Sequence, residues 1–186
     1  MTDFALRLLV RLRAINRWVA LATGLGLLAT AAFVLADILL RRLGASLGGT
    51  DEISGYAMAI ASSWGMGFAL LELGHVRIDV LRAQLAAPGR VLLDLFAMLT
   101  LAATVSLIAV QCWPVLEKSL ANASRANTPL ETPLWWVQTP WLAGWIWFAA
   151  MSWMTFLAVL ALALGRQFAE AEAAAGVFAE TEEAVQ

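Results

Sequence analysis

Cysteine and histidine are nearly absent from this sequence, which holds one of each, Cys112 and His75, in 186 residues. A single cysteine excludes an internal disulfide, a cysteine-held cluster and a structural zinc site. A single histidine excludes a haem held between two histidines of this chain. Lysine is as scarce, Lys118 being the only one, so arginine carries nearly all the positive charge. Charge of either sign is thin, at 14% against roughly 25% in a soluble domain. The chain also lacks a nucleophile–base–acid set, a glycine-rich phosphate loop and a nucleic-acid signature. Neither an enzyme, nor a cofactor or metal, nor a nucleic-acid partner is expected.

Apolar residues fill the space instead, at 61%. A water-soluble chain of this size could not hide so much apolar surface. Four stretches, 18–40, 53–73, 91–113 and 141–164, each reach the about 20 helical residues that a bilayer requires. The chain therefore reads as an all-α integral membrane protein with four transmembrane helices. The first stretch is longer than the about 7–15 apolar residues of a cleaved signal, and Arg41 and Arg42 close it, so a retained helix is expected. This divides the chain into a basic segment, 1–17, a membrane domain, 18–165, and an acidic tail, 166–186.

Positive charge orients the spans. One side would hold Arg7, Arg11, Arg13, Arg17, Arg77, Arg82, Arg90 and Arg166; the other would hold Arg41, Arg42, Lys118 and Arg125. The excess places both termini in the cytoplasm. Residues 4–15 can form a surface helix with Phe4, Leu8, Leu12 and Ile15 on one face and arginines beside it, the pattern of a helix resting on anionic lipid. They can equally be the positive flank of the first span. The tail, with Glu170, Glu172, Glu180, Glu182 and Glu183, reads as a frayed, solvated helix.

Small residues mark the second span for close packing. Ala57, Ala61, Gly65 and Ala69 form one strip, and Ala59, Ser63 and Gly67 an adjacent one. The fourth span opens on Trp135, Trp136, Trp141, Trp145 and Trp147. Trp135 and Trp136 suit the outer headgroup level, whereas Trp145, Trp147 and Trp153 lie deeper, toward lipid or a partner helix.

Charges near a span need partners, because one at a helix centre costs roughly 2.5–3.5 kcal/mol on insertion scales. Asp37 precedes Arg41 by one turn and can pair with it. Thr50 or Asp51 can cap the second span, with Asp51 and Glu52 complementing its dipole. At its other end Gly74 can supply a left-handed turn. Residues 75–85 then read as a short amphipathic surface helix between the second and third spans, with Ile78, Leu81 and Leu85 on its apolar face and Asp79 paired to Arg82. Asp94 lies near the start of the third span, where the macrodipole tolerates a carboxylate.

The segment from Asp37 to Leu81 strings these groups together: Asp37-Ile-Leu-Leu-Arg41, a glycine-rich loop, Asp51-Glu52, then Gly74-His75-Val-Arg77-Ile-Asp79. It resembles the signature of the small (Q-type, DctQ-like) membrane subunit of tripartite ATP-independent periplasmic (TRAP) transporters. The stretch 128–136, with Pro133 and Trp136, is similar to that family's approach to its last helix. Arg42 stands where relatives often carry an aromatic residue, and Val137 and Gln138 where a tyrosine is usual. The resemblance implies a non-catalytic scaffold beside a large multi-span permease subunit, in the bacterial inner membrane. That pair would take up, driven by sodium, a solute, often an organic acid, delivered by a periplasmic binding protein. It also implies that Arg41, Asp51, Glu52, Gly74, His75, Arg77, Asp79, Pro133 and Trp136 face the partner or hold the loops that do. Two alternatives stand beside it. One is an autonomous homo-oligomeric carrier or channel, with Asp37, Glu72 and Asp94 lining a path. The other is a membrane anchor for an enzyme whose partner brings every cofactor.

Overall fold

The computed structural model describes residues 2–75 and 82–176. Among these residues five α-helices and one 3₁₀ turn follow in order: α1 Thr2–Arg42, α2 Thr50–Leu71, the turn Arg82–Gln84, α3 Ala87–Ala121, α4 Trp135–Leu164 and α5 Phe168–Ala175. Among the described residues there is no strand, only an isolated bridge between Arg125 and Pro133. Three helices, α1, α3 and α4, are long and apolar enough to cross a membrane. With 22 residues α2 is long enough as well, but it is not one of those three.

Of the two readings of residues 4–15, a separate surface helix or the flank of the first span, the structure agrees with the second. No proline occurs before Pro88, and nothing else breaks the chain, so α1 runs through 41 residues, about 60 Å at 1.5 Å each. The face it turns inward is not the Phe4, Leu8, Leu12 and Ile15 stripe expected to meet lipid. Ala5, Leu9, Leu12 and Asn16 are buried, whereas Phe4 and Ile15 are exposed. The two sets sit on different sides of one helix, and the buried set is the one that meets α2, α4 and α5. The helix stops where Gly44, Gly48 and Gly49, all at positive φ, turn the chain back.

The core runs between α3 and α4, where Val91, Met98, Val105, Phe148, Ala158, Val159 and Leu162 meet. Of the two small-residue strips of α2, the second makes the close approach. Ser63 and Gly67 are buried, and Ser63 fits so tightly against Gly144 of α4 that a β-carbon there would overlap its hydroxyl. Ala57 and Ala61 instead line an open groove of about 470 Å³ between α1 and α2. Gly65 has open space beside it.

The tail departs from expectation as well. α5 is docked, with Ala171, Ala174 and Ala175 buried in the same core. Arg90 of α3 holds Glu172 at 3.0 Å, and Arg13 of α1 donates to the Ala173 carbonyl at 3.4 Å. Alanines that would fray alone are kept helical by burying one face, the usual source of short-helix stability.

Candidate functional site

The polar residues singled out by sequence separate into groups at the two ends of the bundle. At one end Asp37, 1% exposed, is the hub. The expected ion pair with Arg41 is present, Nη2 to Oδ2 at 2.7 Å and Nε to Oδ2 at 2.8 Å. The same carboxylate also accepts from Ser46 Oγ at 3.1 Å, the Leu47 N–H at 2.7 Å and Thr50 Oγ1 at 2.6 Å. One carboxylate thus ties the end of α1, the connecting loop and the start of α2 together, filling all of its roughly four lone-pair sites.

That arrangement explains why α2 is not capped as expected. Thr50 donates its hydroxyl to Asp37, and Asp51 is exposed. The N-cap is Gly49, at φ 65°, with no side-chain cap. The desolvated carboxylate on the preceding helix fixes the Thr50 hydroxyl toward itself, away from the backbone N–H groups a cap would serve, because charge-assisted bonds are about twice as strong.

Glu52 lies one residue before the predicted second span and faces the loop between α3 and α4. Tyr56 donates to its Oε1 at 2.7 Å. Thr128, Thr132 and the Leu130 backbone of that loop lie around its carboxyl, whose Oε2 is buried without a hydrogen-bond partner among the described residues. The loop itself is braced by Arg125 Nη1 donating to the Glu131 carbonyl at 3.1 Å and by the Arg125–Pro133 bridge. Leu130 packs onto Gly49 so closely that a β-carbon would collide with it. Trp136, 62% exposed, stands edge-on to Trp135 beyond this loop. So Arg41 and Glu52, on the helix ends that flank one loop, and Pro133, in the other, sit where the two loops interlock, with Asp51 and Trp136 on the exposed surface nearby in sequence.

The other end holds Gly74 and His75; Arg77 and Asp79, with most of the expected surface helix, lie outside the described residues. The left-handed residue that ends α2 is Leu73, at φ 55°, rather than Gly74. The Gly74 N–H reaches back to the Ala69 carbonyl at 2.7 Å, the long bond of a Schellman turn. A β-carbon on Gly74 would sit 3.3 Å from that carbonyl oxygen, so glycine is selected for closeness rather than for handedness. His75 is half-buried, its ring stacked on Phe148 of α4 at 6.1 Å. Its imidazole faces this chain's own bundle.

Asp94 is two turns into α3, beyond the reach of its macrodipole, and owes its place to Arg82. The guanidinium grips it as a fork, Nε to Oδ1 at 3.1 Å and Nη2 to Oδ2 at 3.1 Å, with both side chains at least 95% buried. Composition alone hid this pair, twelve residues apart across a turn.

Sequence reading also passed over the polar junction in the middle. Asn16, fully buried, accepts from Trp147 Nε1 at 3.1 Å and donates to the Leu12 carbonyl at 3.1 Å. Trp64 donates to the Pro140 carbonyl at 2.9 Å and stacks on Trp147 at 6.1 Å. The deeper Trp153 donates to Ser106 Oγ of α3 at 2.9 Å. A lone asparagine at the edge of an apolar run was the available signal.

Among the described residues no group of His, Cys, Asp and Glu is placed to hold a metal ion. The sequence matches the family model for tripartite ATP-independent periplasmic transporters, DctQ component, over residues 30–163, well over half of the chain. No curated protein and no solved structure matches.

Proposed function

The chain belongs to the DctQ family, the small membrane component of tripartite ATP-independent periplasmic transporters, and from that premise we propose that it scaffolds a large multi-span permease subunit. That partner would carry the substrate and sodium sites and take its solute, an organic acid, from a periplasmic binding protein. In this reading α2 is the fourth span beside α1, α3 and α4. The protein lies in the bacterial inner membrane, with the basic segment 1–17 and the acidic tail 166–186 on the cytoplasmic side.

The observation that favours a scaffold over an autonomous carrier is the fate of the carboxylates. An ion path needs acidic groups that can exchange partners. Asp37 is engaged by five donor contacts within this chain, and Asp94 by the Arg82 fork. Both serve to fix helices. The family is one of transporter components rather than an enzyme class, which also favours a scaffold over an enzyme anchor.

Co-expression with the large subunit and binding protein of the same transporter tests the proposal. The chain should co-purify with the large subunit, and uptake in proteoliposomes should vanish when it is left out. Normal uptake by the large subunit alone, or solute flux through the isolated chain, would overturn it.

A further inference from the structure

The inner half of α1 has two faces, and only one is occupied by protein. Ala5, Leu9, Leu12 and Asn16 face the bundle. Turned away from them along the helix are Phe4, Arg7, Arg11, Ile15 and Trp18, with Phe4 71% and Trp18 73% exposed. Arg17, also exposed, flanks this stripe. Arg7 reaches back only to the Asp3 carbonyl, at 3.2 Å. Neither Arg11 nor Arg17 has an ion-pair partner among the described residues. Asp3 is the only acid before Asp37, so this surface is strongly positive.

Its position makes the charge demanding. Leu12 packs with Met151, and Asn16 bonds Trp147; at the other end Thr2 lies against Gly165. The arginines therefore run alongside the last half of α4, in a stretch uncharged from Glu131 to Arg166. Beside so apolar a helix, guanidinium groups need anions at headgroup depth, because hydrocarbon strongly disfavours an unpaired charge.

We propose that this face is a binding surface for anionic phospholipid headgroups. Arg7, Arg11 and Arg17 would engage phosphates, and Phe4, Ile15 and Trp18 would insert between glycerol and acyl regions. Interleaving of cation and ring is the chemistry of the headgroup layer, where an apolar body and a polar tip are both satisfied. The surface lies outside the matched stretch 30–163, so it stands independently of the transporter assignment.

The test uses the full chain in neutral detergent, titrated with phosphatidylglycerol, phosphatidylcholine or inorganic phosphate and read by native mass spectrometry and thermal midpoint. Phosphatidylglycerol should bind and raise the midpoint; phosphatidylcholine and phosphate should not. Each arginine near an anionic surface contributes about fivefold to affinity, so R7Q/R11Q/R17Q should bind phosphatidylglycerol roughly a hundredfold more weakly. The corresponding triple lysine variant, which keeps the charge, should stay within a few-fold of the parent, as should R42Q at the opposite end of α1. The proposal is overturned if phosphatidylcholine binds as well, if phosphate competes the lipid off, or if the glutamine variant keeps its lipid. If the glutamine variant, co-expressed with the large subunit, fails to co-purify with it while binding lipid as the parent does, the proposal is overturned in favour of an acidic protein surface as the occupant.

Discussion

The indole N–H of Trp147 on α4 donates to the side-chain carbonyl of Asn16 on α1 at 3.1 Å, joining residues 131 apart in sequence. Gly67 of α2 lies against the same oxygen, where a β-carbon would sit 2.9 Å away. Three helices cross at one amide, whose own N–H₂ is partnered by the Leu12 carbonyl. In a membrane such a bond registers helices rather than supplying much energy, since interhelical side-chain bonds average about 0.6 kcal/mol.

That junction predicts coupling. Asn16→Ala and Trp147→Phe should each lower stability in detergent by roughly 1 kcal/mol. In a double-mutant cycle on the unfolding free energy, they should couple by about 0.5–1.5 kcal/mol. Strict additivity would show that the two groups do not meet in solution.

Asp37→Asn should destabilise the chain by about 2–3 kcal/mol, as several charge-assisted bonds weaken together. Thr50→Val removes one of them and should cost about 1 kcal/mol. Hydrogen exchange is the discriminating measurement: protection should fall at residues 43–52 and persist near Asn16. Uniform loss across the chain would mean that Asp37 is not a local hub.

Gly49→Ala meets two obstacles, a left-handed backbone and the Leu130 side chain. The first costs about 1–2 kcal/mol and the overlap adds to it. Adding Leu130→Ala to that variant should relieve only the second part, raising the thermal midpoint part of the way back. A second substitution that lowers it further would refute the contact between the two loops.

Removing one half of the Arg82–Asp94 pair strands a buried charge. Asp94→Leu should cost about 3–5 kcal/mol. The paired replacement Arg82→Met/Asp94→Leu should cost distinctly less, because the two facing charges are then removed together. Thermal unfolding of both variants in the same detergent decides it, and equal losses would assign the stability to Arg82's other contacts instead.

Much of the fold was legible because its determinants are local. Apolar runs longer than a bilayer's thickness, broken by glycine-rich or charged stretches, place α1, α3 and α4 wherever they fall in a chain. The Asp37–Arg41 pair follows from the helical repeat alone. The motif around Asp37, Asp51-Glu52 and Gly74-His75 was enough to point to the family. Less legible was everything that depends on competition between partners. Thr50 looked like a cap until a buried carboxylate claimed its hydroxyl, and Gly74 looked left-handed until Leu73 took that conformation.

The sequence by itself determined that this is a helical membrane protein of a transporter family, since hydropathy, helical periodicity and a charged motif are properties of neighbouring residues. Only the tertiary structure decided which face of α1 turns inward, that α5 docks, that Arg82 seeks Asp94 and that Asn16 meets Trp147. Those outcomes depend on which groups are brought within about 3 Å of one another once desolvated, and no spacing along the chain encodes that.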